Sequence, residues 1–268
     1  MVLGERKLSY DEYTDLHSLY KNDFQKFIDY NIKDVELIDR LEDKMGLITL
    51  AMTMAYRGGV NYSDTLGTTA IWDAILYRDL SDRGIIVPPN GDKFKADYPG
   101  GYVKAPQVGM HEWVTSFDLN SLYPNIIVQW NMSPETIVEG DRAHMNPDVG
   151  LSETHVNDTD YALAANGVYF KKEKQGVLPK IIVEYYSERS IIKKKMLASQ
   201  QEKENTDKSN KSEIIRIERD ISRYENQQMA IKLLLNSLYG ALGNRWFRYY
   251  DLRIAEGITL TGQTVIRW

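Results

Sequence analysis

Cysteine is absent from the 268 residues. That excludes disulfides and thiolate zinc sites, and it suits a reducing compartment. Histidine is scarce. His17, His111, His144 and His155 are scattered without the spacing of a ligand set, which argues against an imidazole metal site. Long apolar runs are missing too. The longest nearly apolar stretch, Leu47 to Tyr56, is far too short to span a bilayer. Met1 to Tyr10 is polar and holds no apolar h-region, so no secretory signal is expected. These absences predict a soluble, cytoplasmic protein with no membrane partner. No long biased tract or internal repeat stands out, and the length allows one large domain or parts of two.

What is present is charge, unevenly placed. The net charge of −5 argues at first against a nucleic-acid partner. Residues 1–66 hold 8 Lys+Arg against 12 Asp+Glu, whereas residues 189–268 hold 15 against 9. A basic end suits phosphates, and a solvated helical surface accounts for the same charge equally well.

Periodicity organises the chain. Residues 18–56 read as a long helix with room for one break: Phe24, Phe27, Asn31, Val35, Ile38, Leu41, Met45 and Ile48 recur at three- and four-residue steps. Turn signals at Gly58-Gly59, Pro88 to Gly91 and Pro99 to Gly101 mark residues 57–110 as mixed, with a short helix from Thr69 to Leu80. Residues 112–118 (EWVTSFD) read as a strand ending on Asp118, and Pro124 stands where a helix can start. Residues 140–165 read as polar and irregular. Gly167 to Phe170 and Gly176-Val177 read as short strands around the charged turn Lys171 to Lys174. A second helix is expected over 180–198 and a polar loop over Ser199 to Ser212. Ile214, Ile217, Ile221 and Tyr224 then form a seam, making an antiparallel helical hairpin with a polar tip. A more apolar helical run, Gln227 to Leu242, stops at Gly243-Asn244.

The sharpest local signal is Ser116 to Pro124 (SFDLNSLYP). A strand-end Asp beside free backbone groups is either a turn residue or a ligand for a hard cation such as Mg²⁺. A second is Lys232 to Gly240 (KLLLNSLYG), where Lys232, Asn236 and Tyr239 share one helix face while Leu233, Leu234 and Leu238 point elsewhere, toward a core. A cation, an amide and an aromatic on one face suit a triphosphate and a base pair. Arg189 and Lys193 repeat the i, i+4 pairing on the first arm of the hairpin, with Lys194 and Lys195 blurring the choice of lysine. Tyr98-Pro99-Gly100-Gly101 allows close backbone approach, and Tyr56-Arg57-Gly58-Gly59 matches the same short pattern nearer the N-terminus. Tyr30 and Asp34, also i and i+4, present a phenol and a carboxylate together.

Taken as whole strings, these segments resemble family B DNA polymerases. Ser116 to Pro124 is similar to motif A (D-x-x-S-L-Y-P), and Lys232 to Gly240 to motif B (K-x-x-x-N-S-x-Y-G). The wording through Gly240 to Asp251 (GALGNRWFRYYD) looks most like the replicative enzymes of T-even-like tailed phages. The resemblance implies an α+β fold: the helical end of a 3′–5′ exonuclease domain (1–60), a linker touching template (61–110), part of a palm with motif A (111–180), helical-hairpin fingers with motif B (181–244), and a return to the palm (245–268). It implies that Asp118 and the Leu119 carbonyl hold two Mg²⁺ ions. Ser121, Leu122, Tyr123, Arg189, Lys193, Lys232, Asn236 and Tyr239 would hold the deoxynucleoside triphosphate, with Tyr123 excluding a 2′-hydroxyl. Tyr98, Gly100, Gly101 and Gly240 would meet template. Tyr30 and Asp34 would belong to the third exonuclease motif (Y-x-x-x-D), Asp34 as a metal ligand.

Two-metal phosphoryl transfer needs at least two carboxylates held together. The family's second Asp lies in a D-T-D-S hairpin after motif B, which these residues do not contain. Asp158-Thr159-Asp160 comes before motif B and reads as a surface turn. The reading is therefore a polymerase segment that needs the remaining polypeptide for activity and takes primer–template DNA and deoxynucleotides as partners. A sliding clamp is a further partner the resemblance raises. The rivals are a non-catalytic nucleic-acid-binding module and a helical interaction protein built on the Ile214 seam.

Overall fold

Asp23 and Gly46 cut the helix expected over 18–56 into three pieces: α1 (Leu16–Asn22), α2 (Phe24–Met45) and α3 (Leu47–Gly58). The Asp23 carboxylate accepts the Lys26 amide at 3.0 Å and so starts α2. Gly46 ends it in the left-handed region (φ 59°), its N–H donating to the Glu42 carbonyl. The computed structural model describes residues 2–91, 96–140, 142 and 160–267 and divides into two units, Met1–Met52 and Thr53–Trp268.

In the first unit the Tyr20 ring of α1 meets Phe24 and Phe27 edge-on at 5.4 and 5.3 Å. Phe24, Val35, Ile38 and Ile48 nevertheless stay more than half exposed. The periodicity found a helix correctly; its apolar face is only partly covered by the described residues of this unit.

The second unit holds the main core. The helix expected from Thr69 to Leu80 is α4 (Thr68–Asp82). Trp72 on it is fully buried, and its indole N–H donates to the Leu234 carbonyl at 3.2 Å and to Ser237 Oγ at 3.1 Å. α5 (Leu122–Gln129) buries Ile126 and Ile127 between the longer helices, with Pro124 in its first turn, where no N–H is needed.

A helical hairpin follows, and it is longer than the sequence suggested. α6 (Val177–Asn205) and α7 (Lys211–Leu242) run through most of the stretch expected as a polar loop, leaving a tip at 206–210. The residues there are polar but are good helix formers, and polarity alone does not make a loop. Ion pairs between the arms, Lys203 with Glu218 and Arg216 with Glu202, hold the outer end. Ile217 of the seam is fully buried. α7 also absorbs Gln227 to Leu242 without interruption, and Gly243 caps it. α8 (Leu252–Arg267) closes the unit against α5 and α7.

Strands are few. β1 (Tyr161–Leu163) pairs antiparallel with β2 (Tyr169–Lys171), Ala162 opposite Phe170. Gly167 (φ 81°) makes the turn after Asn166, an Asn-Gly signal that the sequence reading placed at a strand start. β1 thus lies inside the span expected as irregular, and Gly176-Val177 is a helix start rather than a strand. The expected strand at 112–118 does not form. No described strand pairs with it, and without a partner its ladder groups have nothing to bond, so Val114 and Phe117 lie 76% and 91% exposed. Asp158 and Thr159 of the candidate turn lie outside the described residues.

Asn131 sets where α6 begins. Its buried amide donates to the Lys171 and Lys174 carbonyls at 2.6 and 2.9 Å and accepts the Gly176 N–H at 2.8 Å. Gly176 is packed so closely that a Cβ there would sit 2.6 Å from Ser133 Cβ and 3.1 Å from Thr136 Cγ2. Both neighbours lie near the backbone and cannot swing away. Gly176→Ala should therefore destabilise this unit by about 1–3 kcal/mol in urea unfolding, the usual range for overpacking.

Among the described residues no helix is long and apolar enough to cross a membrane.

Candidate active site

Four polar residues share one row of α7. Gln228, Lys232, Asn236 and Tyr239 follow at steps of four, four and three, which is the spacing of a single helix face. The row runs about 16 Å along the axis at 1.5 Å per residue. Lys232, Asn236 and Gly240 are exposed, and a Cβ on Gly240 would meet nothing within 4 Å. Ser237 faces away, bonded to the Leu234 carbonyl and the Trp72 indole, so it serves the core. Of the three leucines expected to point toward a core, Leu234 and Leu238 are buried and Leu233 is left exposed.

The first arm of the hairpin meets one end of this row. Arg189 on α6 donates through Nε to Gln228 Oε1 at 3.2 Å. Glu188, one residue earlier, is forked by Arg57, whose guanidinium also lies 4.6 Å from the Tyr185 ring centre. The Arg57 hydrogen bond holds the Glu188 carboxyl below the usual carboxylate range. Four other cations of the hairpin are paired: Lys180 with Asp79, Lys203 with Glu218, Arg216 with Glu202, Glu213 and Asp220, and Arg223 with Asp220. Among the described residues no carboxylate pairs with Arg189, Lys193 or Lys232. Lys194 and Lys195 are equally free, so pairing does not choose among the three lysines of α6.

Three tyrosines from three separate segments meet at the other end. Tyr239 lies 4.6 Å from Tyr123 between ring centres, and its hydroxyl is 3.3 Å from that of Tyr98. Burial first, then the Tyr98 hydrogen bond, push the Tyr239 phenol well above its ordinary range, so it stays neutral. Gly243 makes room for this contact, since a Cβ there would fall 2.5 Å from Tyr98 Oη. The segment after Tyr98 is fixed from α8. Gln263 donates to the Gly100 carbonyl at 2.6 Å, and Arg267 lies over the Tyr102 ring at 4.6 Å. Gly101 abuts Tyr123, whose hydroxyl would be 3.0 Å from a Cβ there. Tyr56-Arg57-Gly58-Gly59, the similar short pattern, takes no part in the tyrosine cluster; its Arg57 serves the α6 base instead.

Asp118 stands just before α5. Ser121 precedes that helix in the left-handed region (φ 52°) and makes no side-chain cap. The Leu122 and Tyr123 N–H groups are first-turn donors with no intrahelical acceptor, the arrangement that suits an anion. Asn125 ties the turn by donating to the Asn120 carbonyl at 2.8 Å. Asp118 itself is exposed, as are Leu119 and Phe117, and no described residue bonds its carboxylate. A carboxylate and the Leu119 carbonyl are hard oxygen donors that fit Mg²⁺ in kind. Among the described residues no group of three acidic, His or Cys side chains lies together.

Tyr30 and Asp34 lie in the first unit, on α2. Lys7 Nζ donates to Asp34 Oδ2 at 2.8 Å and lies 5.8 Å from the Tyr30 ring centre, while Tyr10 meets Tyr30 edge-on. Asp34 Oδ1 is buried without a partner. The pair therefore shares a helix face as its spacing requires, with a lysine on the carboxylate.

The sequence assigns no site role to Gln228, Gln263, Gly243 or Trp246, although Gly243 reads there as a helix stop. Gln228 was within reach, being one more helical step back from Lys232. Trp246, 62% exposed with the Arg245 guanidinium 4.4 Å from its ring centre, shows no period, and only its exposure sets it apart.

The sequence profile of DNA polymerase family B matches residues 67–268. The chain is 33% identical over 297 residues to the DNA-directed DNA polymerase of Enterobacteria phage T4, covering 98% of this chain and 33% of that protein. The enzyme of the same name from Escherichia phage RB69 is 32% identical over 302 residues, covering 99% and 33%. DNA polymerase II of Escherichia coli (strain K12) is 25% identical over 269 residues, covering 99% and 29%. The chain thus spans about a third of the length of these relatives.

Proposed function

The chain belongs to DNA polymerase family B, and from that premise we propose that it is the nucleotide-gripping segment of a DNA-directed DNA polymerase. The observation that carries this reading is the row on α7, with Arg189 at one end and the Tyr98–Tyr123–Tyr239 cluster at the other. Cations that bind no carboxylate stand at the phosphate end, and neutral aromatic rings stand at the base and sugar end. A deoxynucleoside triphosphate has the same order of chemistry along its length.

In the reaction, a primer 3′-oxygen attacks the α-phosphate in line, the new O–P bond forms, and pyrophosphate leaves. Two Mg²⁺ ions would supply Lewis-acid stabilisation of the attacking and leaving oxygens. Asp118 and the Leu119 carbonyl would hold them on this chain, and we propose that a second carboxylate comes from outside the described residues. Lys232 and Arg189 neutralise the triphosphate, with Lys193 as a third cation. The backbone at Ser121 and Leu122, where α5 begins, cradles it. Asn236 supports the nucleotide. The Tyr123 ring, held between Tyr239 and Gly101, lies beneath the sugar and leaves no room for a 2′-hydroxyl. Tyr98, Gly100 and Gly101 carry the template strand, Gly240 lets a template base come close, and Trp246 offers it a stacking face. Tyr30 and Asp34 would serve an associated 3′–5′ exonuclease, for which Asp34 must exchange Lys7 for a metal.

Primer extension tests the reading. The 268-residue chain alone is expected to add no nucleotides to a primer. Joined to a polypeptide that supplies the second carboxylate, it should extend with deoxynucleotides. Tyr123→Ala in that complex should raise ribonucleotide addition by at least about tenfold, the scale of losing one steric exclusion. Efficient extension by the chain alone, or sugar selection indifferent to Tyr123, would overturn it.

A further inference from the structure

Gln228 is one of the few polar side chains buried in the second unit, with 6% of its surface exposed. A buried amide must satisfy both its ends or weaken the fold. Its Nε2 donates to Glu225 Oε1 at 3.1 Å, which fixes the orientation of the amide and turns Oε1 toward Arg189. With the amide reversed, two donors would face each other at Arg189 Nε. Oε1 accepts that Nε–H at 3.2 Å. Among the described residues nothing engages the two terminal nitrogens, Nη1 and Nη2.

We propose that Gln228 is a positioning residue, which holds the Arg189 guanidinium by Nε so that Nη1 and Nη2 stay together as a fork for a phosphate oxygen pair. The proposal rests on the reading of Arg189 as a phosphate ligand. Arginine loses considerable rotamer freedom when it binds, and a guanidinium already held by one nitrogen loses less at the moment of binding. The planar fork also needs a defined plane, which a single Nε bond from a rigid, buried amide provides. Glu225 acts one step further back, by orienting the amide.

The test follows the Arg189 Nε–H itself. In the 268-residue chain labelled with ¹⁵N-arginine, its resonance is identified by its loss in Arg189→Lys, and its exchange with water is measured. Slow exchange is expected, becoming at least about tenfold faster in Gln228→Met, which keeps the length of the side chain but has no acceptor oxygen. The paired exchange Gln228→Glu with Glu225→Gln restores both hydrogen bonds with the second reversed, and should restore slow exchange. Fast exchange in the unaltered chain, or no rescue by the pair, overturns the proposal. Mg²⁺–dATP titrations supply the second arm. Gln228→Met should weaken binding about fivefold, within the cost of ordering one long side chain, and should add no loss when Arg189→Ala is already present. An equal loss on both backgrounds would mean that Gln228 acts on its own and would overturn the assignment. If Arg189→Ala leaves dATP affinity unchanged, the phosphate reading of Arg189 fails instead, while the exchange data still report the contact.

Discussion

If Asp118 holds metal as proposed, primer extension by the reconstituted complex should fall by about a thousandfold or more in Asp118→Ala, because several kcal/mol of metal-borne charge stabilisation would leave with the carboxylate. Folding should not change with it. Asp118 is exposed and bonds no described residue, so thermal unfolding of the 268-residue chain should stay within about 0.5 kcal/mol of the unaltered protein. Primer–template affinity should hold or rise slightly, since a negative charge has been removed beside phosphates. The three measurements together separate the readings. A nucleic-acid-binding module that had lost its chemistry would show no dependence of extension on Asp118. A helical interaction protein would show no extension in any combination. Loss of activity with fold and DNA binding intact places Asp118 in the chemical step or in nucleotide binding, as a metal ligand requires.

The helices were legible because their causes are local. Apolar spacing and a Gly at a stop act within a few residues, and α4 and the end of α7 fell where those signals put them; the Asp23 start and Gly46 stop are equally local, yet the periodicity over 18–56 carries through them. Errors arose where one local signal stood for two states. Ser199 to Ser212 is polar, which suits a loop, yet its Gln, Glu and Lys residues also suit a solvated helix, and the helices that run into it pair across the arms, Arg216 with Glu202 and Lys203 with Glu218. The strand at 112–118 failed for a different reason. A helix closes its own hydrogen bonds, but a strand exists only with a partner, and alternation in one segment says nothing of whether another lies beside it.

The candidate site was legible in a different way. The spacing of Lys232, Asn236 and Tyr239 puts them on one face from sequence alone, whereas the meeting of Tyr98, Tyr123 and Tyr239 needs three segments far apart in the chain. No periodicity links those segments. Only the resemblance of whole strings brought them together. Gln228 escaped because a glutamine on a helix is ordinarily solvent-facing, and its burial depends on the neighbouring arm.

Lys232→Ala should raise the deoxynucleotide concentration needed for half-maximal extension by about tenfold to a hundredfold, the worth of one charge-assisted hydrogen bond to phosphate. Lys232 binds no carboxylate among the described residues, so on the proposed reading its whole charge is available to the triphosphate. Its exposure means the substitution removes little packing, and unfolding of the chain should barely shift. Arg189→Ala should act in the same direction. Because Arg189 meets Gln228, four residues from Lys232 on the same row, the two cations are placed to address one polyphosphate, and their losses should not add independently. Lys193→Ala provides the contrast. Lys194 and Lys195 are as free as Lys193, so a neighbour can replace part of its charge, and a smaller rise is expected. If Lys232→Ala left the half-maximal concentration unchanged while Tyr123→Ala still altered sugar selection, the phosphates would have to lie off the α7 row. The triphosphate would then rest on the α5 amides, and the row would serve the template rather than the incoming nucleotide.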